Sequence, residues 1–361
     1  MMDEQSPKDE FIEQINKTYK SEGIADVGNN LQALNLPRFS SGILSLDCAL
    51  GGGWPFGRIA IIAGMESTGK TLTSIHAMKE VMSYDHATKQ HIDWFHDPKE
   101  FSPGTALFVD VEGSFDVDWA EANGYQSDHH VVARPEYSEQ AIDIVTSAIE
   151  QNVFDLIVVD SLAALAPTKE LESSTEEWQM GLAARLINKA MRKWVGKLNK
   201  CTTDHGTGPA ILCLNQFRIN IGQFMGDPRV LPGGKAQNFA ASVIMYTKSP
   251  DYNDSKDKEL SMVKLSGEIK KNKTYTPKRN FTYGLHLEDE EIAKKGEIDN
   301  LKQMQSLAKK FGLMKVESGK VHWGDRTWKT QKALMEEVAG DPEMYRTMWR
   351  SIIKAATGKI V

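Results

Sequence analysis

Apolar, β-branched segments alternate with amphipathic segments along most of this chain of 361 residues. Four of the apolar segments, RIAIIAG, TALFVDVEG, FDLIVVDS and PAILCLNQ, predict buried strands. The segments between them repeat their apolar residues at helical spacing. Strands that are apolar on both faces and joined by helices are typical of a mainly parallel sheet. We therefore predict an α/β fold in which helices cover both faces of such a sheet.

The ends of the chain and one internal stretch depart from this alternation. Residues from about Asp9 to Tyr19 predict a short helix on a polar tether, and a helix opened by serine caps is expected from Ser40 to Leu50. The polar stretch Asp85 to Gly104 predicts a surface insertion, and the Lys- and Glu-rich stretch after Leu287 predicts a small α+β lobe. We divide the chain into an N-terminal helix and tether (1–38), a core (39–287) and a C-terminal domain (288–361).

Charge is unevenly distributed along the chain. The formal net charge is −6, yet the stretch from Gly181 to Lys248 contains ten basic residues and two acidic ones. Such a local excess favours a surface that binds a polyanion, and a solvated helical face is the alternative.

The remaining composition indicates an intracellular chain. Its three scattered cysteines, Cys48, Cys201 and Cys213, lack metal-ligand spacing and predict reduced, structural thiols. The acidic N-terminus does not resemble a secretory signal, and no apolar run approaches the roughly 20 residues of a spanning helix. We expect a cytoplasmic protein without a membrane partner.

The segment GMESTGKT, from Gly64 to Thr71, matches G-x-x-x-x-G-K-[ST] between a predicted strand and a predicted helix. Backbone N–H groups of such a loop, with the N-terminus of the helix, bind phosphate groups. Lys70 is expected to reach the β- and γ-phosphates of ATP, and the Thr71 hydroxyl to ligate Mg²⁺. The nucleotide-binding residues predicted by this motif are Gly64, Met65, Glu66, Ser67, Thr68, Gly69, Lys70, Thr71 and Leu72.

Carboxylates follow two of the predicted strands. Asp160 ends the strand FDLIVVDS and is expected to complete the Mg²⁺ shell, the alternative being an aspartate in a turn. Asp110 and Glu112 lie two positions apart and share one side of their strand if it stays extended. Because strand ends open into the ligand crevice of such folds, Glu112 is our candidate for positioning the attacking water. A solvent-facing acid at a strand end is the alternative.

Seven segments resemble, in order and with similar spacing, those of the RecA family of homologous-recombination ATPases, of the bacterial type or its phage-encoded relatives. They are SSGILSLDCALGGGWPFGRI, GMESTGKT, FVDVEGSFD, LIVVDSLAAL, QMGLAARLINKAMRKW, NQFRINIGQFMGDPRVLPGGKAQNFAASV and KKNKTYTP. The resemblance covers about Ser40 to Tyr283. It implies a RecA-type P-loop ATPase core and an N-terminal helix that serves oligomerisation.

The resemblance also implies catalytic roles. It identifies Glu112 as the catalytic glutamate beside Lys70, and Gln216 as the sensor of the γ-phosphate. Lys271 and Lys273 would be cations that a neighbouring subunit delivers to the nucleotide. Phe239 is the candidate packing residue of that subunit interface.

The resemblance further implies a pocket for adenine. Asp116 would bind the amino edge of the base and Trp119 would stack on it, where the family usually has tyrosine. Tyr283 is predicted as the opposite wall of this pocket.

Two loops are expected to bind DNA: a first loop from Glu170 to Gly181 and a second loop from Asn215 to Lys235. The first is acidic, so its acidic side would not face phosphate. The resemblance implies that its tip inserts the apolar Met180 between bases, and Trp178 is either a second inserted residue or an anchor on the core. The helix behind it presents Arg185, Lys189, Arg192 and Lys193 on one face. The predicted DNA-binding residues are Met180, Arg185, Arg192, Arg218, Gly233 and Gly234. Asn220, Pro232 and Lys235 depart from the family's usual residues in the second loop.

We therefore expect a DNA-dependent ATPase that forms helical filaments on single-stranded DNA and exchanges strands with homologous duplex DNA. ATP and Mg²⁺ are the expected cofactors, and single-strand-binding and loader proteins are expected partners. Two alternatives stay open: a ring-forming motor with the same fold, and a mediator that binds ATP without exchanging strands.

Overall fold

The computed structural model describes residues 6–19, 36–92, 101–165, 181–219, 229–234, 236–251, 261–289 and 293–358. The helices are α1 (Pro7–Tyr19), α2 (Leu44–Leu50), α3 (Lys70–Val81), α4 (Val117–Ala122), α5 (Ser138–Gln151), α6 (Leu182–His205), α7 (Ala236–Ala240), α8 (Asn300–Lys310), α9 (Gln331–Gly340) and α10 (Pro342–Thr357). A 3₁₀ turn spans Leu162–Ala164.

The strands of the first part of the chain are β1 (Arg38–Phe39), β2 (Trp54–Pro55), β3 (Ile59–Gly64), β4 (Ala106–Asp110), β5 (Val131–Ala133), β6 (Leu156–Asp160) and β7 (Ala210–Gln216). They are followed by β8 (Arg218–Ile219), β9 (Arg229–Val230), β10 (Val243–Thr247), β11 (Met262–Asn272), β12 (Arg279–His286), β13 (Met314–Glu317), β14 (Lys320–Trp323) and β15 (Arg326–Trp328).

Within the described residues, eight strands form the central sheet in the order β12-β11-β10-β3-β7-β6-β4-β5. All neighbouring pairs from β10 to β5 are parallel, and the two pairings at the other end of the sheet, β10 with β11 and β11 with β12, are antiparallel. The chain returns to parallel strands through helices, as parallel pairing requires. The predicted α/β fold with a mainly parallel sheet is confirmed.

Helices pack on both faces of this sheet because alternate residues of each strand point to opposite sides. Ile61 of β3 belongs to a buried cluster with Trp194 of α6, and its neighbour Ile62 belongs to another with Ile75 of α3. All four residues are fully buried. The apolar runs of the sequence therefore reflect strands with a core on each side.

The parallel strands end together at one edge of the sheet. Gly64 of β3 lies opposite Gln216 of β7, and Asp110 of β4 lies opposite Asp160 of β6. Since β3, β7, β6 and β4 are consecutive in the sheet, the residues that follow them share one crevice.

The predicted serine cap of α2 is wrong. The helix begins at Leu44 after Ile43, without a side-chain cap. The hydroxyls of Ser40 and Ser41 instead donate to the Asp47 carboxylate at 2.6 Å each. The serines thus satisfy a buried acid within the helix rather than the free N–H groups at its start.

The C-terminal elements form a third apolar cluster. Helices α8, α9 and α10 pack with the small sheet β13–β15, and Met304, Met348 and Ile352 are fully buried there. Leu44 and Cys48 of α2 complete the cluster. The C-terminal elements therefore rest on α2, while the boundary that we drew at 287 stays a prediction.

In its described part, the stretch predicted as a surface insertion reaches the core through Lys89. Lys89 is only 3% exposed, and its ammonium donates to the carboxylate of Asp155, which is 1% exposed and directly precedes β6. His86 and the N–H of Thr105 contact the other oxygen of Asp155, each at 2.9 Å. The described part of the insertion is therefore fastened to the central sheet by a buried ion pair.

Replacing Lys89 by methionine should leave this buried carboxylate without its cation. Removal of one partner of a buried ion pair costs about 3 kcal/mol or more. We expect Lys89→Met to lower the free energy of unfolding in urea by about that amount. The exposed Lys315 serves as the control, and equal stability of Lys89→Met and Lys315→Met would contradict a structural role for this ion pair.

Candidate active site

The loop from Gly64 to Leu72 joins β3 to α3 at the crevice. A Cβ atom on Gly64 would lie 1.8 Å from the hydroxyl oxygen of Thr247, so only glycine fits there. The hydroxyl oxygens of Thr68 and Thr247 are 2.6 Å apart, which ties the loop to the neighbouring strand β10. The loop is thus packed against β10 and leads directly into the N-terminus of α3, where backbone N–H groups can bind phosphate.

The side chain of Lys70 folds back over the loop. It is 8% exposed, and its ammonium donates to the carbonyl of Met65 at 2.6 Å. Burial lowers the pKa of Lys70, while the carboxylates of Asp160 and Glu112 oppose this shift. The ammonium therefore lies in the same crevice as the two acids.

Thr71 and Asp160 come together as the sequence predicts. The Thr71 hydroxyl donates to Asp160 Oδ2 at 3.0 Å. Burial raises the pKa of Asp160 to about 6, and the nearby Glu112 carboxylate adds to the shift. A hydroxyl and a carboxylate are hard oxygen ligands that suit Mg²⁺. A bound cation would also offset the cost of the buried negative charge.

The strand that carries Asp110 and Glu112 does not stay extended. β4 ends at Asp110, whose buried carboxylate accepts from the N–H groups of Ser114 and Phe115, each at 3.1 Å. The N–H groups of Val111 and Glu112 donate to the carbonyl of Asp160 at 2.8 and 3.2 Å. The two acids therefore have different surroundings: Asp110 stabilises the turn, and Glu112 lies at the end of β6.

Two polar side chains hold the Glu112 carboxylate. The hydroxyl of Ser161, which is fully buried, donates to Glu112 Oε1. Gln216 Nε2 donates to the same oxygen at 3.4 Å. The sensor candidate and the glutamate candidate are thus in direct contact, so a group that draws Gln216 away would leave Glu112 with one donor fewer.

A cavity of about 300 Å³ extends from the phosphate loop along β12. Trp119 lines it and is 43% exposed. The Asp116 carboxylate caps α4 by accepting from the N–H of Trp119 at 3.0 Å. This hydrogen bond fixes the backbone from which the Trp119 ring projects. Leu285 and Leu287 also line this cavity.

Tyr283, predicted as the opposite wall of the adenine pocket, is not among the residues that line this cavity. Tyr283 is 3% exposed and belongs to the core beneath the loop, with its hydroxyl 3.4 Å from that of Thr73. A Cβ atom on Gly69 would lie 3.2 Å from this hydroxyl. Leu285, two residues further on the same face of β12, does line the cavity.

The two lysines predicted to serve a subunit interface contact the end of α7 in this chain. Lys271 donates to the carbonyls of Asn238 and Ala241, the latter at 2.7 Å, and Lys273 donates to the carbonyl of Phe239 at 3.0 Å. Burial lowers the pKa of Lys271, and the neighbouring charge of Lys273 adds to this. The Phe239 ring is 75% exposed.

The basic face predicted on α6 is exposed. Arg185, Lys189, Arg192 and Lys193 all face solvent. Lys193 pairs with Asp143 of α5 at 2.8 Å. Arg185 and Arg192, the two predicted phosphate contacts, have no ion pair with any described residue.

The second DNA-loop candidate has regular secondary structure at its base. Residues 218–219 pair antiparallel with 229–230 as β8 and β9. Arg218 is exposed, and the guanidinium of Arg229 lies 5.3 Å from the centroid of the Phe217 ring. The absence of a sequence period concealed this short hairpin, because two residues per strand are too few to show one.

The two glycines of this loop differ in exposure. Gly233 is buried against α6, where a Cβ atom would lie 2.9 Å from Ile187, and its φ is +96°. Gly234 is exposed. Met180, Trp178, Asn220 and Lys235 lie outside the described residues.

The chain has extensive similarity to known proteins. Residues 8–289 match the family model of the RecA N-terminal domain. Protein RecA of Petrotoga mobilis is 33% identical over 305 residues, which cover 80% of this chain and 76% of that protein. Protein RecA of Mycoplasma mycoides subsp. mycoides is 34% identical over 91% of this chain and 90% of the relative. The chain belongs to the RecA family.

Membership in the RecA family supports DNA recombination and repair as the function, with ATP hydrolysis as the enzymatic activity. Among the described residues, no helix has the length and apolarity needed to cross a bilayer.

Two residues of this candidate site were not predicted from the sequence. Ser161 directly follows Asp160, and its contact with Glu112 arises because β6 and β4 are neighbours in the sheet. Leu285 lies on the same strand face as Tyr283. Strand alternation predicts this shared face, but it does not show where along β12 the face leaves the core.

Proposed function

We propose that the chain binds ATP with Mg²⁺ at the phosphate loop and hydrolyses it as a subunit of a filament on single-stranded DNA, which then pairs with homologous duplex. The observation that supports this most is the meeting of Lys70, Thr71, Asp160, Glu112 and Gln216 at the ends of neighbouring strands.

The loop and the cavity beside it would hold the nucleotide. The N–H groups of the loop and the Lys70 ammonium suit the β- and γ-phosphates. Thr71 and Asp160 would hold Mg²⁺, which neutralises charge on the phosphate oxygens when bound. The adenine ring would stack on Trp119, with Leu285 across the cavity and Asp116 at its amino edge.

Hydrolysis would use the Glu112 carboxylate. This group accepts a proton from water as the water oxygen bonds to the γ-phosphorus, and the bond to the bridging oxygen of ADP breaks. Ser161 keeps the carboxylate oriented. Gln216 contacts the same carboxylate and would exchange it for the γ-phosphate. The nucleotide state would thereby change the end of β7, from which the DNA loop departs.

A neighbouring subunit would complete the site. Lys271 and Lys273 contact α7 in this chain. Following the resemblance of their motif to that of the family, we propose that in the filament they act on the nucleotide of the next subunit. Phe239 offers an exposed apolar side chain for the same interface. Residues 1–38 would serve as a second oligomerisation segment. Hydrolysis would then require assembly.

DNA would bind along α6 and the second loop. Arg185, Arg192 and Arg218 are exposed cations suited to phosphate, and Gly234 offers an accessible backbone. Met180 is proposed to insert between bases. Such a filament would act in the cytoplasm, that of a host cell if the chain is phage-encoded, and would meet single-strand-binding and loader proteins on its substrate.

Replacing Glu112 by glutamine removes the proton acceptor but keeps the size of the side chain. We expect DNA-dependent ATP turnover to fall at least about 100-fold while nucleotide binding is retained. Turnover is measured as phosphate release with and without single-stranded DNA. Glu317→Gln, at an exposed acid of the C-terminal lobe, is the matched control.

Normal hydrolysis by Glu112→Gln would remove this residue from the mechanism. A wild-type enzyme whose turnover does not respond to single-stranded DNA would indicate a mediator instead of a recombinase.

Replacing Arg218 by alanine should weaken binding to single-stranded DNA and reduce its salt dependence. Each lost phosphate contact changes the slope of log affinity against log salt by about 0.7. Fluorescence anisotropy of a labelled oligothymidine over a salt series measures the slope. Lys332→Ala, at a side chain that is 81% exposed on α9, is the control. A slope equal to that of wild type would exclude Arg218 as a phosphate contact.

A further inference from the structure

Two buried amide side chains connect β7 to the exit of the second loop. Asn215, next to the end of β7, and Gln237, in the first turn of α7, are both fully buried. Asn215 Nδ2 donates to Gln237 Oε1 at 2.9 Å and to the carbonyl of Pro232 at 3.3 Å. The pair therefore links the strand, the short helix and the loop exit.

Gln237 also holds the loop exit directly. Its Nε2 atom donates to the carbonyl of Pro232 at 2.6 Å and to that of Gly234 at 3.2 Å. In a planar trans peptide the C=O and N–H bonds point in opposite directions. Fixing the Pro232 carbonyl therefore aims the N–H of Gly233 away from Gln237. The amide thus sets the orientation of the backbone that leads into Gly234, the residue proposed to approach DNA phosphates.

The same strand end carries the sensor candidate. Gln216 directly follows Asn215, and adjacent strand residues point to opposite faces of the sheet. Gln216 contacts Glu112 on the nucleotide side, while Asn215 contacts Gln237 and Pro232 on the loop side. If the γ-phosphate displaces Gln216, the displacement would therefore be transmitted to the loop by the adjacent Asn215.

The other end of α7 meets the two interface lysines. Helix α7 has only five residues, and Lys271 and Lys273 donate to carbonyls at its C-terminal end. If these lysines move to a neighbour's nucleotide, α7 loses donors at one end while Gln237 still holds the loop at the other. The helix is short enough for both events to affect the same few residues.

We propose that Gln237 is a positioning residue that, through Asn215, couples the nucleotide state of the site to the conformation of the DNA-binding loop. This inference rests on the proposed function, because it assumes that the loop binds DNA and that Gln216 senses ATP. Burying two amides is unfavourable unless both are hydrogen-bonded. An apolar residue of similar size could fill the space at position 237, but it could not hold the carbonyls of Pro232 and Gly234.

Two substitutions separate this role from packing. Gln237→Glu keeps an acceptor for Asn215 but loses the donor to Pro232 and Gly234, and Gln237→Met keeps the length of the side chain without any polar atom pairing. The measurement is the dissociation constant for labelled oligothymidine with a slowly hydrolysed ATP analogue and with ADP. We expect the dissociation constant with ADP divided by that with the ATP analogue to fall about tenfold in both variants.

Two readouts exclude a merely structural effect. Affinity for the ATP analogue without DNA should stay within about twofold of wild type. In the double variant Asn215→Ala with Gln237→Met, the ratio of dissociation constants should fall no further than in Gln237→Met alone. The reason is that both residues belong to the same hydrogen-bonded link between the strand and the loop. Gln151→Met, at an exposed glutamine of α5, controls for the chemical change. Should the buried glutamate of Gln237→Glu prevent folding, Gln237→Met carries the test.

A wild-type ratio in both folded Gln237 variants would overturn the inference and leave the proposed function intact. A wild-type protein whose DNA affinity does not depend on the nucleotide would overturn the proposed function, and the inference with it.

Discussion

The alignment of four neighbouring strand ends is the constraint on which the rest of this structure depends. Because β3, β7, β6 and β4 are parallel and adjacent, the phosphate loop, Gln216, Asp160 and Glu112 reach one edge of the sheet although they are far apart in sequence. Each strand is held by a core on both faces, so buried packing fixes the position of the strand bodies from which these ends project. The sheet thus supplies a rigid frame for groups that would otherwise repel one another.

That frame keeps charges close together in a partly dry crevice. Burial lowers the pKa of Lys70 and raises that of Asp160 to about 6, so both groups are less stable in their charged forms than in water. A triphosphate with its cation would supply the missing opposite charges, which makes binding and local stability two aspects of one equilibrium. The same reasoning extends to the lysines of β11. They satisfy carbonyls of α7 in the single chain and are proposed to exchange them for phosphate in an assembly.

The fold class and much of the site could be predicted from the sequence because their signals are local. The phosphate motif lies between a strand and a helix in both the sequence and the structure, and Thr71 and Asp160 meet at 3.0 Å. The burial of Tyr283 could not be predicted because it depends on where β12 leaves the core, which strand alternation does not reveal. The contacts of Ser161, Asn215 and Gln237 are set by strand neighbours and by the path of a long loop. No spacing along the chain encodes those tertiary relations. The burial of Lys89 in a polar insertion belongs to the same class.

The claim that a neighbouring subunit completes the site is the centre of this account, and mixing two inactive variants tests it most directly. Glu112→Gln lacks the proton acceptor but keeps its lysines, whereas the double variant Lys271→Ala and Lys273→Ala keeps Glu112. Each alone should show little DNA-dependent ATP hydrolysis. In an equal mixture, about a quarter of the interfaces would join an intact Glu112 to intact lysines, so activity should recover to about a quarter of the wild-type rate. A mixture no more active than its separate components would contradict the account, as would full activity of the lysine variant alone.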